Sequence, residues 1–163
     1  MMWQSGHSNI KSKMKEVGSP LAGEMSAHIF FGHKYYGFDD AIYAAVRLLG
    51  ILSRSEKTLD KIFDEMPKMI TTPEARFPCP EERKFKLIEE VKERLKSKSG
   101  ITVHDIDGVR VQSDDGWWLL RASNTEPVLS ARCESASEEG LVRVKTAFSK
   151  QVRASGLEPP DFQ

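Results

Sequence analysis

One run of alternation does most to limit what this chain can fold into. Between Ile101 and Glu134 four short apolar stretches, at about 101–105, 108–113, 117–122 and 128–134, are cut apart by Asp107-Gly108, Asp114-Asp115-Gly116 and Arg121-Ala122-Ser123-Asn124-Thr125-Glu126-Pro127. Apolar runs of strand length separated by turn dipeptides read as consecutive antiparallel strands. Two stretches of helical period frame them. The first, Glu81 to Ser97, has Pro80 near its first turn, acids at its start, Lys96 and Lys98 at its end and Gly100 beyond, with Phe85, Ile88, Val91 and Leu95 as its apolar stripe. The second opens on a capping-box pattern, Ser135-Ala136-Ser137-Glu138, and carries Leu141, Val144, Phe148 and Val152 on one side. A sheet apolar on one face needs cover, and two helices supply it. The expectation is an α+β domain over 69–156, a four-stranded, mainly antiparallel sheet packed on two helices, with 157–163 as a tail beyond the ordered chain.

Residues 1–68 follow another pattern, and Pro67 to Pro73 reads as a linker entering a new strand. Ser8 is expected to cap a helix carrying Ile10, Met14 and Val17, with Gly18 ending it. A strand, a loop over Gly23–His28 and a second strand through Ile29-Phe30-Phe31 come next. Asp39 and Asp40 precede a helix, Ala41 to Leu52, that is apolar nearly all round, which predicts burial on more than one side. A shorter helix from Thr58 points Leu59, Ile62, Phe63 and Met66 inward until Pro67 stops it. Helices outnumber strands and no sheet is evident for the apolar helix to lie on, so this piece reads as the partial end of an α/β domain.

The charge totals exclude whole classes of partner. With 24 basic and 24 acidic residues the net charge is zero, and no general field draws the chain to nucleic acid or to anionic lipid. No apolar stretch reaches the ~20 residues a bilayer requires and the first residues do not begin a signal peptide, so a cytoplasmic protein is expected. Cys79 and Cys133 are far apart and outside any metal spacing, which fits two reduced thiols. Any anion site must therefore be local.

Two loops have the chemistry for one. In 121–127, Arg121 offers a planar fork of donors, Ser123 and Thr125 hydroxyls and Asn124 an amide, and the turn backbone can aim its N–H groups inward as an anion nest. The same residue types also make an ordinary solvated hairpin loop. In 23–28, Glu24 can accept from two sugar hydroxyls and Ser26 can donate and accept, although an exposed turn with one acid is common. His7, His28 and His33 lie near Glu24 in sequence, but their spacing fits no standard ligand pattern and no i, i+4 pair sits on a helix, so no metal is expected here. His104 is expected to be structural.

Gly23-Glu24-Met25-Ser26-Ala27-His28-Ile29-Phe30-Phe31, then Gly37-Phe38-Asp39-Asp40, and finally Arg121-Ala122-Ser123-Asn124-Thr125-Glu126-Pro127 resemble, in order and spacing, the C-terminal half of the α-D-phosphohexomutases, a family that includes bacterial phosphomannomutase/phosphoglucomutases. The resemblance covers nearly the whole chain. It implies the end of domain three over 1–68 and a TBP-like domain four over 69–156. It implies a loop at Glu24 and Ser26 that binds sugar hydroxyls, and a loop at Arg121, Ser123, Asn124 and Thr125 that grips the phosphate not being transferred. The implied substrates are mannose or glucose 1- and 6-phosphates, and the implied reaction moves a phosphoryl group between O1 and O6. The family's phosphoserine loop and its magnesium-binding aspartate loop are not in this sequence. Mg²⁺ is thus implied only for a full-length enzyme through the missing N-terminal half, with no cofactor on this chain, which alone is expected to be inactive.

Two positions depart from the family pattern. Ala27 stands where glycine is usual, and Gln4 stands where many relatives carry a lysine, leaving proton transfer to His28 or to residues of the missing half. Two other readings remain: a stand-alone phosphosugar-binding or regulatory module, and a metal-dependent hydrolase using His7, His28 and Glu24.

Overall fold

A computed structural model of the chain describes residues 1–162, and it separates into two compact units, Met1–Pro67 and a second that begins at Lys68.

In the second unit the expected hairpins are present. Strands β5 (Thr102–His104), β6 (Val109–Ser113), β7 (Gly116–Ala122) and β8 (Val128–Ser135) pair in sequence order, every pairing antiparallel. Two short segments extend the β8 edge: β3 (Ile70–Thr71) lies against Ser135 and Glu134, and β4 (Ala75–Pro78) against Ala131 to Val128. The sheet therefore has six strands in the order β3-β8-β7-β6-β5 with β4 also on β8. Alternation decides the faces. Trp118, Leu120 and Ala122 of β7 and Leu129, Ala131 and Cys133 of β8 are buried, in one cluster with Leu87, Val91 and Leu95 of helix α4 (Glu81–Leu95) and Val144, Phe148 and Val152 of helix α5 (Glu138–Ala154). The side chains between them, among them Trp117, Leu119 and Arg121, are half-exposed on the open face.

Three local expectations are corrected. On α4, Phe85 is more than half exposed and Lys84 is fully buried instead, because Lys84 stands in the i, i+4, i+7, i+11 row with Ile88, Val91 and Leu95. The cap of α5 is Ser137, whose hydroxyl accepts from the Gly140 amide at 3.1 Å. Ser135 is unavailable for capping, being the last residue of β8, where its hydroxyl donates to the Asp115 carbonyl. The segment read as a tail is anchored: Phe162 is buried edge-on against Phe148, and its carbonyl accepts from Lys145 Nζ.

The first unit has a small core. Helix α1 (His7–Val17) starts one residue before the expected Ser8 cap, with Gly6 at the cap position, and ends on left-handed Gly18. It buries Ile10 and Met14 against Phe30 of the antiparallel pair β1 (Leu21–Gly23) and β2 (Ile29–Phe31). Helix α2 (Ala41–Leu52) is capped by Asp40, which accepts from the Tyr43 amide at 2.9 Å. Contrary to the sequence expectation, no residue of α2 or of α3 (Leu59–Asp64) is buried, and Ile42, Val46, Leu49, Leu59, Phe63 and Met66 are exposed. Periodicity marks an apolar stripe, but this unit offers only a hairpin and one helix to cover it.

Candidate functional site

The first unit builds its site on the hairpin. Loop 24–28 closes by two backbone bonds, Glu24 N–H to the His28 carbonyl and Ala27 N–H to the Glu24 carbonyl. Between them the chain must turn back at Ala27 to bring the His28 carbonyl to the Glu24 amide, and Ala27 takes φ 66°, the conformation that glycine adopts without strain. The Glu24 carboxylate accepts from the Gly6 amide at 2.8 Å, which fixes it beside the start of α1. Ser26 is exposed at the loop tip. His28 Nδ1 lies 2.6 Å from Asp39 Oδ2, and Asp39 Oδ1 also accepts from the Ile29 amide. The His28 contact, followed by the Ile29 amide, holds the Asp39 carboxyl below its ordinary value against an opposing effect of desolvation. With the proton on Nδ1, directed to Asp39, His28 Nε2 is the free acceptor.

The spacing of His7 fits no standard ligand pattern, yet the fold brings it to the same place. Its ring meets that of His28 edge-on, centroids 4.6 Å apart, and one ligand atom from each of His7, Glu24 and His28 falls within 4.8 Å of the others. The sequence spacing hid this because a hairpin and a helix start, rather than one helix face, assemble the group. His33 is exposed and outside it.

The second unit builds its site on the loop joining β7 to β8. Ser123 Oγ accepts from the amides of Thr125 and Glu126 at 3.3 and 3.2 Å, and the Ser123 amide donates to the Val128 carbonyl. The expected inward-facing nest therefore does not form from these amides, because the loop consumes them itself. What is presented is side chain: the hydroxyl of Ser123, still able to donate, and the exposed Asn124 and Thr125. Arg121 stands on the open face of the sheet, its Nε 3.3 Å from Asp107 Oδ1 in ion-pair range but without hydrogen-bond alignment. The turn before β6 makes this approach possible, since a Cβ on Gly108, at φ 81°, would run into the Leu120 carbonyl oxygen and lie 2.9 Å from Arg121 Cα.

The loop is held from below by a residue that the sequence reading missed. Lys84, 0% exposed, donates from Nζ to the Glu126 carbonyl at 3.1 Å and pairs with Glu81 at 2.7 Å. The Cys79 amide donates to the Pro127 carbonyl at 2.9 Å, and Arg76 pairs with the Glu126 carboxylate. The available signal was Lys84's place in the apolar row of α4.

Comparison with known proteins matches both units to one family. The model described as phosphoglucomutase/phosphomannomutase, alpha/beta/alpha domain III, matches residues 1–69, and that of the C-terminal domain matches residues 74–151. The chain belongs to the phosphoglucomutase/phosphomannomutase family. A phosphomannomutase/phosphoglucomutase of Pseudomonas aeruginosa is 47% identical over 154 residues, which is 94% of this chain and 33% of that protein. A phosphoglucomutase of Neisseria gonorrhoeae is 39% identical over 156 residues, 95% of this chain and 34% of its own length. The X-ray structure of a phosphoglucomutase/phosphomannomutase family protein from Burkholderia thailandensis superposes with a TM-score of 0.84 at 39% identity, covering 95% of this chain and 32% of that one. The chain thus spans about a third of the length of the family members it matches. No helix among the described residues is long and apolar enough to cross a membrane.

The magnesium implied for the family finds no fit here. Magnesium favours an all-oxygen octahedral set, whereas the one group of potential ligands among the described residues contains two imidazoles.

Proposed function

We infer that this chain supplies the ring-reading and phosphate-holding surfaces of a phosphohexomutase that moves a phosphoryl group between O1 and O6 of mannose or glucose phosphates. The observation that carries this reading is the braced loop 123–127: its backbone is tied down by Lys84, the Cys79 amide and Ser123 Oγ, while Ser123, Asn124 and Thr125 keep donors exposed near Arg121. A rigid turn with free side-chain donors suits an anion that stays in place while chemistry occurs elsewhere on the molecule.

Glu24 and Ser26 then meet ring hydroxyls. His28 takes the proton from the hydroxyl that attacks phosphorus: the O–H bond breaks, the proton moves to Nε2, and the oxygen's electron pair forms the new P–O bond as the bond to the donor group breaks. The donor lies outside this chain, and the chain by itself performs no transfer.

Titration of the chain with mannose 6-phosphate, followed by amide NMR, tests the binding half of this proposal. The amides of Ser123 to Thr125 should shift at millimolar sugar phosphate, and Arg121→Ala should remove most of that response. Unmoved amides, or an Arg121→Ala titration identical to that of the parent, would sink it.

A further inference from the structure

The group that fails to suit magnesium suits another cation. We propose that His7, Glu24 and His28 form a site for one borderline divalent ion, with zinc as the type, and that the ion shuts the hairpin loop against sugar. Two imidazole nitrogens and one carboxylate oxygen are a donor set that zinc takes at about 2.0–2.2 Å, with a fourth position left to water.

The ligands are also supported in the way that metal ligands are. Asp39 Oδ2 lies 2.6 Å from His28 Nδ1, which leaves Nε2 as the metal-facing nitrogen, and the same oxygen is 3.8 Å from His7 Nε2. A carboxylate behind a histidine fixes its ring and raises its basicity. Glu24 Oε1 is held by the Gly6 amide, so Oε2 remains for the ion. The ligand atoms lie within 4.8 Å of one another, and a tetrahedral site needs them about 3.3 Å apart, from the bond lengths zinc takes. Small side-chain rotations close that gap, because His7 is exposed and Glu24 and His28 are half-exposed. All three ligands belong to the first unit.

The ion-binding step stands without the sugar reading, whereas exclusion of sugar rests on it. Zinc chloride titrated calorimetrically into the reduced chain should bind one equivalent. His7→Gln and His28→Gln should each weaken binding at least about tenfold, and Asp39→Asn by about tenfold through loss of the supporting carboxylate. His33→Gln should change nothing, and circular dichroism shows whether each variant is folded. His7 is exposed, so its variant keeps the test alive if His28→Gln does not fold. Cobalt in place of zinc reports ligand type, and visible bands without a near-ultraviolet thiolate band are expected.

The proposal is overturned by no one-to-one binding at about 1 mM zinc, by affinity that survives His7→Gln, or by thiolate absorption from Cys79 or Cys133. Exclusion is read separately: zinc should abolish mannose 6-phosphate shifts at Glu24–His28, and shifts that persist at saturating zinc would refute it. Failure of zinc binding leaves the response of Ser123–Thr125 untouched, so the two readings are tested apart.

Discussion

Single residues carry most of the site's tension. Ala27 holds φ 66° where the chain turns back to bring the His28 carbonyl to the Glu24 amide. A left-handed alanine costs about 1–2 kcal/mol, and glycine returns some of that through its freer unfolded chain, about 0.4–1 kcal/mol. Ala27→Gly should therefore raise the melting temperature slightly, by about 0.5 kcal/mol of stability from the difference between those terms; a lower melting temperature would show that the loop is unstrained. Asp39 sets a pH dependence. Its folded pKa lies below the ordinary 3.8, so the unfolded chain binds the proton first on acidification. Its contribution is complete above the ordinary carboxylate range and is lost as pH falls through the folded value. Asp39→Asn should flatten the acid limb of a melting-temperature profile between about pH 5 and pH 2, and parallel profiles for parent and variant would exclude this role.

Among the elements, α4 does more than cover the sheet. Its row of Lys84, Ile88, Val91 and Leu95 puts three apolar side chains into the core and one ammonium under the β7–β8 loop. Replacing Lys84 by methionine keeps length and removes the donor, leaving the Glu126 carbonyl without its charged partner at a cost of about 2 kcal/mol. Lys84→Met should lower stability by that order in urea unfolding, speed hydrogen exchange at Ser123–Val128 and weaken the sugar-phosphate response, while Thr102–Ser113 stays protected. Uniformly raised exchange across the whole sheet would instead mark Lys84 as a general core residue. Helix α2 teaches the opposite lesson. Its sequence is apolar nearly all round and reads as buried, yet the fold leaves Ile42, Val46 and Leu49 exposed. An apolar helix states what it needs, and whether the need is met depends on chain packed against it.

For the molecule as a whole, neutrality and two thiols set the general behaviour. Burial pushes the Cys133 thiol up to about 12 and raises that of Cys79 as well, so neither supplies thiolate near neutral pH. A thiol reagent at pH 8 should label neither cysteine in the native chain and both in denaturant, and rapid native labelling would contradict the packing of β8 and of the segment before α4. The sequence alone determined the α+β unit, because strand alternation, Asp-Gly turns and the stripe of α5 are local patterns whose partners follow next in the chain. It also determined the family, through the loops at 23–31 and 121–127. Only the tertiary structure decided that Ser123 spends the loop's amides, that Lys84 braces Glu126, and that His7 stands against His28 and Glu24. The Ser123 contacts are local and follow from the conformation the loop adopts, which its turn-forming composition leaves open; the other two join residues far apart in sequence, and such meetings are fixed by how the elements pack and by no periodicity within any one of them.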